Sequence, residues 1–133
     1  MTAYLITGAS IVGGEVAELL IDNGEIVAIG NDLDAPDDVR RIDATGQIAL
    51  PGLVDLHTHL REPGREDAET VLTGTRSAAL GGFTAVFAMA NTDPVADTAG
   101  VVEQVWRLGR EAGYADVYPI GAVTVGRQGT QLA

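Results

Sequence analysis

The sequence predicts an α/β chain: a small β-sandwich unit over residues 1–50, followed by the start of a (β/α)8 TIM-type barrel over residues 51–133. Three observations predict it. Residues 1–50 carry short apolar runs separated by turn residues, with nine acids and two bases. Pro51-Gly52 then breaks the chain. After that break the rhythm becomes strand, helix, strand, helix, strand with short links, which is the pattern of parallel βαβ units. A barrel of this kind takes about 250 residues. The sequence therefore reads as truncated after about three barrel strands.

In the first unit, Ala3–Thr7 reads as a strand. Val16–Ile21 and Glu25–Ile29 flank Asp22-Asn23-Gly24, where Asn and Gly accept the positive φ of a tight hairpin turn. Asn31–Asp38 is an acidic loop that contains Pro36. Arg41–Asp43 and Gln47–Leu50 bracket a turn at Ala44-Thr45-Gly46, and the whole is expected to be an antiparallel unit whose role is structural.

In the second unit, Leu53–His57 is a nearly continuous apolar run, as expected for a strand buried on both faces. Glu66–Leu80 reads as a helix, with Ala68, Val71, Leu72, Thr75 and Ala79 on one stripe, Glu66, Asp67 and Glu69 at its positive end, and Gly81-Gly82 ending it. Thr84–Met89 is a second buried strand. A second helix starts at an Asp97 or Thr98 cap, carries Val101, Val105, Leu108 and Ala112 on one face and closes at Gly113. Val117–Val125 is the third strand candidate, and Gly126–Gly129 reads as loop.

Composition removes several function classes. The net charge of −11 is wrong for a phosphate backbone or an anionic membrane surface, and no apolar run approaches the length of a membrane span. No signal peptide is expected from Met1–Ser10. All eight basic residues are arginine, which excludes a lysine nucleophile, a Schiff base or a carboxylated-lysine metal bridge within these residues. With no cysteine there is no disulfide framework and no thiolate site, as suits a cytoplasmic protein.

The chemistry concentrates at His57-Thr58-His59, the end of the first apolar strand. Alternation in a strand places His57 and His59 on one face, and neutral imidazole is a common zinc ligand. In a parallel barrel the site lies at the C-terminal strand ends, where these histidines fall. The bland alternative is a pair of structural histidines. Asp55 has the same parity, and reads either as a carboxylate that orients an imidazole or as a polar residue of the barrel floor. Arg61 can clamp a carboxylate through two parallel hydrogen bonds, or can form a surface ion pair with Glu62 or Glu66. Asn91, at the end of the second strand, can donate to the same carboxylate, or can serve as a turn residue before Pro94. Pro63-Gly64 and Asp93 read as turn architecture, and Trp106 and Tyr114 as packing residues.

Asp55–Gly64 (DLHTHLREPG) resembles the first metal motif of dihydroorotases, within the cyclic amidohydrolase superfamily. Gly81–Thr84 and Met89–Pro94 resemble the family's second motif, and Ile48–Asp55 its entry to the barrel. The resemblance implies that His57 and His59 are zinc ligands, with one or two Zn2+ per complete subunit, and that Arg61 and Asn91 bind the substrate carboxylate. It implies a small-molecule substrate: zinc-dependent, reversible hydrolysis of L-dihydroorotate to N-carbamoyl-L-aspartate, a step of pyrimidine synthesis, in an enzyme with room for a homo-oligomer. The family's catalytic aspartate, its bridging ligand and its later histidines lie downstream, so no catalytic residue is assigned within this chain and the isolated piece is expected to be inactive. Ala90 stands where the family usually has proline, for which a small geometric change is expected. Alternatives are an allantoinase or hydantoinase, a non-catalytic homologue, or a fragment without function of its own. A cation at Arg61 has no role against allantoin or simple hydantoins, which carry no carboxylate there.

Overall fold

The computed structural model describes residues 3–133, which form two compact units divided at Pro51 and Gly52. In the first unit β1 (Tyr4–Ile11), β2 (Val16–Asp22), β3 (Glu25–Gly30) and β4 (Arg40–Asp43) form one sheet in the order β3-β2-β1-β4, and β5 (Ile48–Ala49) also pairs with β1. The hairpin turn between β2 and β3 forms as the sequence demands, with φ of 53° at Asn23 and 82° at Gly24. Leu5, Ala9 and Leu19 are buried in this unit.

Two expectations for this unit are corrected. The sheet is mixed, because β4 and β5 both run parallel to β1. The loop after β3 carries the chain to the far side of β1, and a crossover of that kind gives parallel pairing, whereas a tight turn gives antiparallel pairing. Among the described residues this unit also forms one five-stranded sheet, not a sandwich. The first strand runs on through Gly8 to Ile11, whereas the expected strand stopped at Thr7. Its register with β2 shifts between Ile6 and Ala9, and Gly8 takes a φ of 80° within that bulge. A Cβ there would lie 2.5 Å from the Thr45 hydroxyl, so only glycine fits.

The second unit alternates β6 (Leu53–Thr58), α1 (Val71–Leu80), β7 (Phe83–Ala88), α2 (Ala99–Ala112) and β8 (Asp116–Pro119), followed by a 3-10 turn at Val125–Arg127. The strands make a parallel sheet in the order β6-β7-β8. Leu60, Val71, Val86, Ala88, Val105 and Val117 form one core, with Ala78 and Leu108 against it. Each fully buried valine or leucine among them contributes roughly 1.5–3 kcal/mol by leaving water. Gly109 lets α2 close on β8, since a Cβ would meet Val117 Cβ at 2.5 Å.

Here too the differences have physical reasons. Strand β6 is an edge strand among the described residues, and its Leu56 is 70% exposed, so its apolar run is not covered on both faces. Helix α1 begins at Val71, not at Glu66. Thr70 caps it by accepting the Thr73 N–H, and the acids before it satisfy local partners in turns: Glu66 accepts the Gly64 N–H at 2.9 Å, and Asp67 pairs with Arg65. Strand β8 ends at Pro119, short of the expected Val125, and Gly126 donates its N–H to Asp97 at 2.7 Å. Trp106 is 45% exposed among the described residues, and the Arg110 guanidinium lies 5.1 Å from its ring centre.

Candidate functional site

The site grows out of the end of β6. Asp55 and Thr58 are three positions apart, but their partners on β7, Val86 and Ala88, are two apart. The strand thus carries a bulge at Leu56 and His57. Asp55 and Thr58 both take the side of Val86 and Ala88, which is the side packed under the helices. The expected alternation of Asp55, His57 and His59 on one face is broken at that point. Asp55 Oδ1 accepts the backbone N–H of His57 at 2.9 Å. That bond holds the carboxyl below the usual carboxylate range, because it favours the charged form. Asp55 therefore shapes the backbone that carries His57 and does not orient an imidazole.

His57 and His59 are both exposed, and their ring centroids lie 5.2 Å apart at an interplanar angle of 63°. Two imidazoles that share one tetrahedral ion through Zn–N bonds of about 2.0 Å need ring centres about 5 Å apart. His59 Nδ1 lies 2.7 Å from Asn91 Oδ1. An amide oxygen only accepts, so Nδ1 is the donor, and in the neutral imidazole this leaves the lone pair on Nε2. The donor set is of a kind that zinc takes: two imidazoles, one of them already oriented. Among the described residues no group of three or more His, Cys, Asp or Glu side chains is poised to hold an ion.

Arg61 lies beyond the strand and takes a left-handed φ of 64°, an uncommon conformation for a side chain of its size. The ion pairs that could have occupied it are absent among the described residues. Glu62 Oε2 instead accepts the first N–H of α1, that of Val71, at 2.7 Å, and Glu66 is engaged by Gly64. Pro63 and Gly64 do more than turn the chain. The Pro63 carbonyl accepts the Asp93 N–H at 3.0 Å, and a Cβ on Gly64 would lie 2.4 Å from the Asp93 carbonyl oxygen. The Arg61 loop and the Asn91 loop are thus packed backbone against backbone. Met89 N–H donates to the Thr58 carbonyl at 2.9 Å on the other side of Asn91. Ala90 is buried and its carbonyl accepts the Ala96 N–H at 3.1 Å.

The sequence reading missed Glu62 as the cap of α1 and Gly64 as the point of loop contact. The first has no local signal, since its partner lies nine residues on. The second was visible only as a Pro-Gly turn.

A parallel βαβαβ unit with two histidines at the end of its first strand marks an α/β protein with a candidate site at its strand ends. Residues 46–133 match the dihydro-orotase-like family. The chain belongs to that family. It is 65% identical over its whole length to a dihydroorotase of Streptomyces coelicolor, of which it covers 31%. It is 58% identical over 98% of its length to a dihydroorotase of Mycobacterium tuberculosis, of which it covers 30%. Among solved structures it is similar to the L-hydantoinase (dihydropyrimidinase) of Arthrobacter aurescens, with a TM-score of 0.81 and 25% identity, over 93% of this chain and 28% of the other. It is also similar to the dihydropyrimidinase of Brevibacillus agri, with a TM-score of 0.64 and 32% identity, over 93% of this chain and 27% of the other. The chain spans about a third of the length of the curated relatives it matches. No helix among the described residues is long and apolar enough to cross a membrane.

Proposed function

We propose that this chain is the opening part of a cytoplasmic, zinc-dependent dihydroorotase, in which residues 51–133 start a (β/α)8 barrel and residues 1–50 form a supporting β unit. The observation that carries the reading is the convergence of His57, His59 and Asn91 from two strand ends, with His59 Nδ1 held by Asn91. His57 and His59 would hold the metal, one or two ions per complete subunit. Zinc, when bound, supplies Lewis-acid chemistry at the ring amide carbonyl.

The rest falls to this chain's own residues. Arg61, free of carboxylate partners among the described residues, binds the exocyclic carboxylate of dihydroorotate through parallel N–H donors. With Oδ1 committed to His59, Asn91 has Nδ2 left as a donor to the same carboxylate. Two donors from two loops fix the ring in one orientation relative to the imidazoles. Proton transfer belongs to an aspartate outside these residues, by analogy with the family.

The test is hydrolysis of L-dihydroorotate by the longest chain the gene encodes, beside allantoin and hydantoin, with metal analysis of the same sample. Zinc-dependent turnover of dihydroorotate is expected. One of the solved structures it resembles is an L-hydantoinase (dihydropyrimidinase), and preferential turnover of hydantoin would replace this reading with that one.

A further inference from the structure

We propose that Asn91 is a positioning residue for the zinc ligand His59, so that one amide links metal affinity to recognition of the substrate carboxylate; this rests on the functional reading above. The two residues are 32 apart in sequence, yet Oδ1 and Nδ1 lie at 2.7 Å. The contact is built into the backbone. Asn91 is bracketed by two cross-links to the histidine segment, Met89 N–H to the Thr58 carbonyl and Asp93 N–H to the Pro63 carbonyl, at 2.9 and 3.0 Å. Its neighbour Ala90 is buried and bonded to Ala96. With the main chain held on both sides in this way, the Asn91 amide is kept within reach of the imidazole. It fixes the ring's tautomer as well as its rotation, and partners of this kind commonly contribute 10- to 100-fold in metal affinity.

The two ends of the amide have separable duties. The oxygen serves His59, and the nitrogen is left for an anionic substrate group. Aspartate at this position keeps an oxygen for His59 and puts a negative charge where the substrate carboxylate would approach.

The experiment titrates zinc into the metal-free longest chain against a chromophoric chelator, with no substrate present, for wild type, Asn91→Ala, Asn91→Asp and Arg61→Ala. Circular dichroism checks that each variant is folded. Asn91→Ala is expected to weaken zinc binding 10- to 100-fold, while Arg61→Ala leaves it within about twofold. Asn91→Asp is expected to retain zinc affinity and to raise KM for dihydroorotate. Wild-type affinity in Asn91→Ala overturns the inference and leaves the functional reading standing, with Asn91 a substrate contact only. Zinc affinity lost equally in Asn91→Ala and Asn91→Asp, with both folded, also overturns it, since the acceptor oxygen is then not what matters. A wild-type chain that binds no zinc sinks the functional reading itself.

Discussion

The carboxylate of Asp55 and the backbone N–H of His57 close a small ring across the bulge of β6, at 2.9 Å. A bulge leaves a backbone group without its ladder partner, and here a side chain two residues back supplies one. The first prediction follows. Asp55→Ala is expected to lower zinc affinity severalfold in the longest chain, measured by chelator competition, and Asn at this position, which keeps an acceptor oxygen, is expected to recover most of it. Equal affinities for wild type and the alanine variant would show that the bulge holds without Asp55.

Gly64 is the point at which the two site loops touch. Replacing it with alanine sets a Cβ against the Asp93 carbonyl at 2.4 Å, at a φ of 108° that alanine rarely adopts. A loss of about 2 kcal/mol or more is expected, read as a fall in thermal midpoint. Turnover should fall further than the stability change accounts for, because Arg61 and Asn91 sit on the two displaced loops.

Arg61 holds a left-handed backbone conformation that costs an ordinary residue about 1–2 kcal/mol. Arg61→Gly is therefore expected to leave the thermal midpoint unchanged or raise it, while dihydroorotate turnover collapses. Arg61→Ala should lose activity without that gain. A stable and fully active glycine variant would remove the assigned role.

Thr98 accepts the Val101 N–H at the start of α2. Thr98→Ala is expected to cost about 1 kcal/mol, and Thr98→Ser much less. Chemical denaturation of the two variants side by side measures the difference.

Asp43 is expected to contribute to the pH dependence of the first unit. Its Oδ1 accepts both the hydroxyl and the N–H of Thr45, at 2.6 and 2.9 Å, and these bonds lower its pKa. A group depressed in the folded state contributes stability above its unfolded pKa, and that contribution is lost as pH falls through the folded value. Asp43→Asn should therefore flatten the acid limb of the stability profile below about pH 4 and leave neutral behaviour little changed. An unchanged acid limb counts against the assignment.

Much of this molecule was legible in the residues. Asn23-Gly24 forms its turn, Thr98 and Gly113 bound α2, and the strand–helix alternation after Pro51-Gly52 gives a parallel sheet, because each depends on short-range propensity and periodicity. Long-range pairing was not legible. The placement of β4 beside β1 depends on where a loop crosses, and the acids of Glu66–Glu69 look like a helix start until Glu62 and Thr70 are seen to cap Val71 and Thr73. At the site, alternation put Asp55 beside the histidine rings, and a one-residue bulge moved it. His57 and His59 could be singled out from their type and position on the strand. The bond between His59 and Asn91 could not, since nothing in a linear sequence reports which of two amide ends meets which ring nitrogen.

The contact of Gly64 with Asp93 carries a lesson for anyone who wishes to exchange parts between relatives. Two loops locked main chain to main chain, with no side chain to yield between them, behave as a single cassette. An insertion in one needs a matching change in the other, and a graft that moves the arginine loop alone would arrive with its lock but without its key. Substrate range in such a scaffold should shift by paired replacement of the segments around residues 61–64 and 91–94, and should resist replacement of either by itself.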